Sequence, residues 1–180
     1  RGRGFLFGGL RFIDFSSGSL PTKVVQGYDF GQNSWTAETM MPQFRDGAAV
    51  VIHDGRAFVI GGRTIDESNG MISAPAQLLV YDFQSYQWSS DIAAPMLTPR
   101  VGLACAERRG FVYCFGGFDL GGKPLATVDR FELATLQWAP LPDLPSPRYS
   151  AQAVALADAV YLLGGKDDAD NASASVFRLE

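Results

Sequence analysis

Residues 45–62 read RDGAAVVIHDGRAFVIGG. Two apolar runs flank Asp54-Gly55, a dipeptide suited to a two-residue hairpin turn. The second run stops at a Gly-Gly pair, and from Arg45 to Gly61 the distance is 16 residues. The same distance recurs from Arg100 to Gly116 and from Arg148 to Gly164. A spacing held three times fixes the length of a hairpin, because neither strand can lengthen without shifting the marks at its ends.

Working outward, Gly-Gly pairs stand at 8–9, 61–62, 116–117 and 164–165, each after an apolar run with an aromatic three positions earlier (Phe5, Phe58, Tyr113, Tyr161). A second rigid mark follows: an aromatic and a tryptophan seven apart, as Tyr28 and Trp35, Tyr81 and Trp88, Phe131 and Trp138. The stretch joining the two marks varies in length. Rigid hairpins joined by variable loops, repeating about every 50 residues, describe a four-stranded blade of a β-propeller. A helix is excluded, because no window keeps a 3.6-residue period without Gly or Pro intervening.

The tally is uneven. Residues 1–43 supply strands two to four of a blade, 44–98 and 99–146 supply whole blades, and 147–180 supply a blade without its Trp strand. The expected architecture is all-β with antiparallel four-stranded blades, incomplete in this chain. Repeat units bury their apolar faces only against neighbours. Further blades are therefore expected, from the same chain or from a second one.

These marks resemble the kelch-repeat family: Gly-Gly after an apolar strand, an aromatic with Trp seven further on, and an arginine near a proline ahead of the first strand. Arg45 departs slightly, with Gln43-Phe44 between it and the proline. The resemblance implies a ring of four-stranded blades, commonly six or seven. It also implies a protein-interaction module, either substrate-recruiting or scaffolding, that is not itself an enzyme. The alternative is a portion of a kelch-like enzyme propeller whose active residues lie on other blades; the copper ligands or catalytic acids of such enzymes find no counterparts here.

Structural roles are expected for Gly8, Gly9, Gly61, Gly62, Gly116, Gly117, Gly164 and Gly165, where strands crowd or φ is positive. Trp35, Trp88 and Trp138 are expected to pack between sheets, with the hydroxyls of Tyr28 and Tyr81 on polar partners. The small-residue runs AAVVI, VGLACA and AQAVALA belong nearest the axis. The loops at 10–24, 63–77, 118–127 and 166–174 and the proline-rich links emerge on one side, and loops on a rigid scaffold are where binding groups sit. The candidate partner-binding residues on that side are Arg45, Arg63, Arg100, Asp119, Arg148 and Asp167. For the three repeated arginines, hydrogen bonding to carbonyls or acids at the loop face is the leading role and direct contact with a ligand the alternative. The side as a whole, with Asp14, Asp66, Glu67, Asp168 and Asp170 against Arg11, Lys123 and Lys166, leans acidic and favours a basic or hydrogen-bonding partner.

Composition removes other classes. The formal net charge of −4 and the scatter of the basic residues argue against nucleic acid. No apolar run reaches the length of a membrane span. His53 is the sole histidine and falls in a turn on the opposite side, away from any Ser-His-Asp arrangement. The acids at 167–170 lack the pattern of a calcium loop, so neither metal nor cofactor is expected. Cys105 and Cys114 fall on consecutive strands. Two buried free thiols and a cytoplasmic location are the expectation, with a cross-strand disulfide as the alternative. Asn171-Ala172-Ser173 is a glycosylation sequon that matters only in a secreted protein.

Overall fold

The computed structural model describes the backbone of residues 2–14 and 18–180, and the side chains of 2–11 and 19–180. Arg1, the Asp14 side chain and residues 15–17 of the first long loop lie outside the described residues. All regular structure among the described residues is strand. The first sheet comprises β1 (Arg3–Phe7), β4 (Val25–Asp29) and β5 (Ser34–Ala37). The second comprises β6 (Ala49–His53), β7 (Arg56–Ile60), β10 (Leu79–Asp82) and β11 (Gln87–Ser89). The third comprises β12 (Ala104–Arg108), β13 (Phe111–Phe115), β14 (Val128–Glu132) and β15 (Gln137–Leu141). The fourth comprises β16 (Gln152–Ala155), β17 (Val160–Leu163) and β18 (Val176–Leu179). Every pairing is antiparallel between sequence neighbours within a sheet. The result is an incomplete propeller of three-, four-, four- and three-stranded sheets.

Two of the long connections are more ordered than loops. They fold back as ribbons, β2 (Leu10–Asp14) with β3 (Gly18–Pro21) and β8 (Thr64–Ile65) with β9 (Ile72–Ser73). The turns at the other ends of the strands obey local chemistry. Asp54 and Gly55 both have positive φ, at 44° and 69°, which a two-residue turn between twisted strands requires.

Three apolar cores lie between successive sheets. Val25 and Met41 meet Val59 and Leu79 between the first and second. Phe58, Ile60 and Val80 meet Leu103, Val112 and Phe131 between the second and third. Ala104, Phe115 and Val128 meet Ala151, Val160 and Leu162 between the third and fourth. The strands β6, β12 and β16 pack side by side, and their alanines permit that approach. A narrow cavity of about 190 Å³ runs between them, bounded by Ala49, Ala104, Cys105 and Ala153.

The tryptophans act across blades. The Trp88 indole N–H donates to the Thr39 carbonyl at 3.2 Å and that of Trp138 to the Ala94 carbonyl at 3.1 Å. Each thereby ties its own sheet to the link arriving from the previous one. Trp35 stays more than half exposed. The Tyr28 hydroxyl donates to the Asn33 side chain, whereas the buried Tyr81 hydroxyl has no partner among the described residues, contrary to expectation.

The cysteines require a larger correction. Cys105 and Cys114 are not free thiols but are joined, with S–S 2.05 Å. The turn at Arg109-Gly110 sets the register in which Cys105 faces Cys114 across β12 and β13. Their Cα atoms are 4.2 Å apart, the short spacing of an antiparallel pair that does not exchange backbone hydrogen bonds.

Candidate functional site

The three repeated arginines turn inward. Arg45 and Arg100 are fully buried and Arg148 nearly so; none of them presents its charge to a partner. Arg100 donates from Nη1 to Asp129 Oδ2 at 2.6 Å and to the Thr98 carbonyl at 3.0 Å, and from Nη2 to the Cys114 carbonyl at 3.2 Å. Asp129 can meet it because β14 places that residue opposite Cys114. The corresponding position opposite Val59 is Leu79, and opposite Leu162 it is Phe177. Arg45 accordingly has only neutral acceptors, the Phe44 carbonyl at 3.0 Å, Gln43 Oε1 at 2.9 Å and, just ahead of β10, the Gln77 carbonyl at 3.4 Å, and burial pulls its pKa down to about 10. Arg148 donates to Ser146 and Ser175 at 3.1 Å and stacks 5.4 Å above the Phe177 ring. The shared role is to bind each link to the sheet that follows it. The buried charge requires polar or aromatic partners, supplied here by a carboxylate, backbone and side-chain carbonyls, serine hydroxyls and a phenyl ring.

What reaches solvent lies around the arginines. Directly after each, the chain bridges to the residue that follows Gly-Gly: Asp46 with Arg63, Val101 with Phe118, Tyr149 with Lys166. Arg63 grips Asp46 through two donors, at 2.9 and 2.8 Å, and this bond raises the Arg63 pKa. Phe118 stands edge-on to Tyr149 at 5.5 Å. Asp170 accepts from the Tyr149 hydroxyl and from Lys166 Nζ. Those donors hold the Asp170 carboxyl below its usual value, while the carboxylate raises both Tyr149 and Lys166.

Asp119 and Asp167 have local work. Asp119 Oδ1 accepts the Lys123 amide at 2.9 Å, and Asp167 Oδ1 accepts the amides of Ala169 and Asn171 at 3.0 and 2.9 Å. Asp167 makes an Asx turn to Ala169, and Asp119 closes its loop by reaching four residues along the chain.

The loop side also carries a cleft of about 340 Å³ between the link at Pro42–Phe44 and the loop at 64–75. Lys23 Nζ lies 4.7 Å above the Phe44 ring and 2.5 Å from Glu67 Oε2. The sequence placed Glu67 on the binding side but gave Lys23 and Phe44 no role there, because positions so far apart meet only when two blades are packed. On the opposite side, a cleft of about 460 Å³ is bounded by His53, Arg56, Arg109, Phe111 and Glu132. His53 Nδ1 stands 3.7 Å from Glu107 there. Among the described residues, no three His, Cys, Asp or Glu side chains gather into a metal site.

Radial antiparallel sheets tied by buried link arginines define a β-propeller. The model of the KLHDC2/KLHL20/DRC7 Kelch-repeats domain matches residues 2–165, and the chain belongs to the kelch-repeat family. An F-box/kelch-repeat protein of Arabidopsis thaliana is 30% identical over 138 residues, 77% of this chain and 36% of that one. Human Kelch domain-containing protein 8B is 30% identical over 152 residues, 82% of this chain and 43% of that one. The Kelch-like protein terF of Aspergillus terreus is 29% identical over 153 residues, 81% of this chain and 33% of that one. The chain thus spans 33% to 43% of the length of these relatives. Among solved structures, YjhT superposes with a TM-score of 0.70 at 15% identity, covering 100% of this chain and 81% of that one; at that identity the likeness concerns the fold.

Proposed function

We propose that this chain is a protein-interaction module that receives its partner on the loop side, in a substrate-recruiting or scaffolding role. The observation that carries the reading is the cleft between the first two units, where an aromatic ring, Phe44, and a mostly exposed carboxylate, Glu67, line one concave surface. Each strand behind it is fixed by ladder hydrogen bonds, so the cleft is presented by a rigid frame. Phe44 and Glu67 already hold one cation, Lys23. A basic side chain of a partner fits the same pair, and the acidic lean of the loop side favours its approach. Arg63 remains a contact candidate through its exposed edge. Asp119 and Asp167 support the surface by shaping their loops.

The test uses the full-length protein and a partner identified by cross-linking. Phe44→Ala and Glu67→Ala are expected to weaken the complex about tenfold or more, as removal of an interface anchor does. Raised salt should weaken the wild-type complex. Arg109→Ala, in the opposite cleft, should leave it intact. Loss of binding with Arg109→Ala alone would move the interface to the opposite side and defeat the reading.

A further inference from the structure

We infer that Asn171 is a site of N-linked glycosylation, and that this chain folds in an oxidising compartment. Two observations that do not depend on one another meet here. The first is the Cys105–Cys114 disulfide. Structural disulfides persist where the redox poise is oxidising, in secreted proteins and in the lumen that feeds them. The second is Asn171-Ala172-Ser173, an acceptor sequon with alanine rather than proline in its middle position. The enzyme that reads this sequon works in the same compartment that forms disulfides. The location to which the disulfide points therefore gives the sequon its chemistry.

The geometry around Asn171 suits the modification. The residue is exposed and closes the turn that Asp167 opens. Its backbone is fixed on both sides, because the Asn171 amide donates to Asp167 Oδ1 at 2.9 Å and its carbonyl accepts the Asp167 amide at 3.0 Å. Among the described residues its side-chain amide makes no hydrogen bond, so a substituent on Nδ2 displaces nothing. Ser173, the third residue of the sequon, is half-buried and shares its hydroxyl with Ser175 at 2.8 Å. That contact belongs to the folded state, whereas transfer onto the sequon takes place on the unfolded chain.

The transfer balances with one co-substrate, a lipid-pyrophosphate-linked oligosaccharide. Asn171 Nδ2 forms a bond to the anomeric carbon as the bond from that carbon to the pyrophosphate oxygen breaks. The nitrogen gives up one proton to a base of the transferase, and the pyrophosphate leaves on its lipid. The product places a hydrated glycan next to Asp170, Lys166 and Tyr149. It would shield the fourth unit's share of the loop side and leave the cleft at Phe44 and Glu67 open. On this inference the chain matures in an oxidising compartment, in place of the cytoplasmic location expected alongside free thiols.

The experiment uses the full-length protein purified from its source, alkylated before any reduction, and cleaved with trypsin. The peptide spanning residues 167–178 carries the whole sequon. It is expected free of glycan only after treatment with peptide N-glycosidase, and then at the mass of the peptide with Asp in place of Asn171. Cys105 and Cys114 are expected to resist alkylation until reduced. Recovery of the bare, unconverted peptide in full yield before glycosidase overturns the proposal, as does alkylation of both cysteines without reduction. Asn171→Gln should abolish the glycosidase-sensitive mobility shift; a shift that persists in this variant removes the assignment to Asn171.

Discussion

The amide of Gly117 donates to the carbonyl of Arg148 at 2.7 Å. Gly9 makes the same bond to Arg45 at 2.8 Å and Gly62 to Arg100 at 2.9 Å. The first three Gly-Gly pairs therefore dock on the link of the following blade. The pair's two members answer to different neighbours. A Cβ on Gly61 or Gly116 would stand 2.7 or 1.9 Å from the next blade's arginine carbonyl, while one on Gly62 or Gly117 would stand 2.7 Å from the carbonyl of Asp46 or Val101, in the segment leading into its own blade's inner strand.

Three alanine substitutions should separate backbone strain from collision. Gly55 has φ +69° and open space around it, so Gly55→Ala should cost about 1 kcal/mol from the left-handed backbone alone. Gly164, at φ +62° with its nearest neighbour 3.4 Å away, should behave similarly. Gly116→Ala adds the collision with Arg148 and should cost about 3 kcal/mol or more. Equal shifts of the denaturant midpoint in all three variants would contradict the docking role of the pair.

Asp129→Asn should be among the most damaging single changes. It leaves the fully buried Arg100 charge without its carboxylate, and breaking a buried pair costs about 3–5 kcal/mol. The same substitution makes Arg100 resemble Arg45, which survives on neutral acceptors, so a loss below about 1 kcal/mol by urea unfolding would show that the amide suffices.

The disulfide closes a short loop, its cysteines nine positions apart in sequence. Loop-closure entropy for that length gives about 2–3 kcal/mol of stabilisation. Thiol counting on denatured, unreduced protein should find no reactive group. Cys105→Ala/Cys114→Ala should unfold at correspondingly lower urea concentration.

Asp170 offers a pH signature. Its folded carboxyl titrates below the usual aspartate value of 3.8, first because of the Tyr149 hydroxyl and then because of Lys166. A depressed carboxylate stabilises the fold above the unfolded value, and that contribution disappears as pH falls through the folded one. Carbon-detected NMR titration should place the Asp170 midpoint under 3.8, and Tyr149→Phe should move it upward. An unmoved midpoint in that variant would leave Lys166 as the principal cause.

The recurring distances in this chain determined the hairpins, the sheet count and the family, because a strand's length and its turn depend on residues a few positions apart. Thus Asp54-Gly55 and the 16-residue interval place β6 and β7 without reference to the rest of the chain. Even the register of Cys105 against Cys114 follows from the turn at Arg109-Gly110. That the pair closed as a disulfide depended on the packed sheet, which sets how nearly their side chains approach. Where the arginines point was decided only by the tertiary structure. Arg45, Arg100 and Arg148 occupy equivalent positions in sequence, but their burial follows from the sheet folded beneath each link. Their partners follow from the residue that β-pairing sets opposite Val59, Cys114 or Leu162. The Lys23–Phe44–Glu67 cleft is likewise a product of two units meeting, since a contact between blades depends on packing angle and loop path, which no spacing within one repeat encodes.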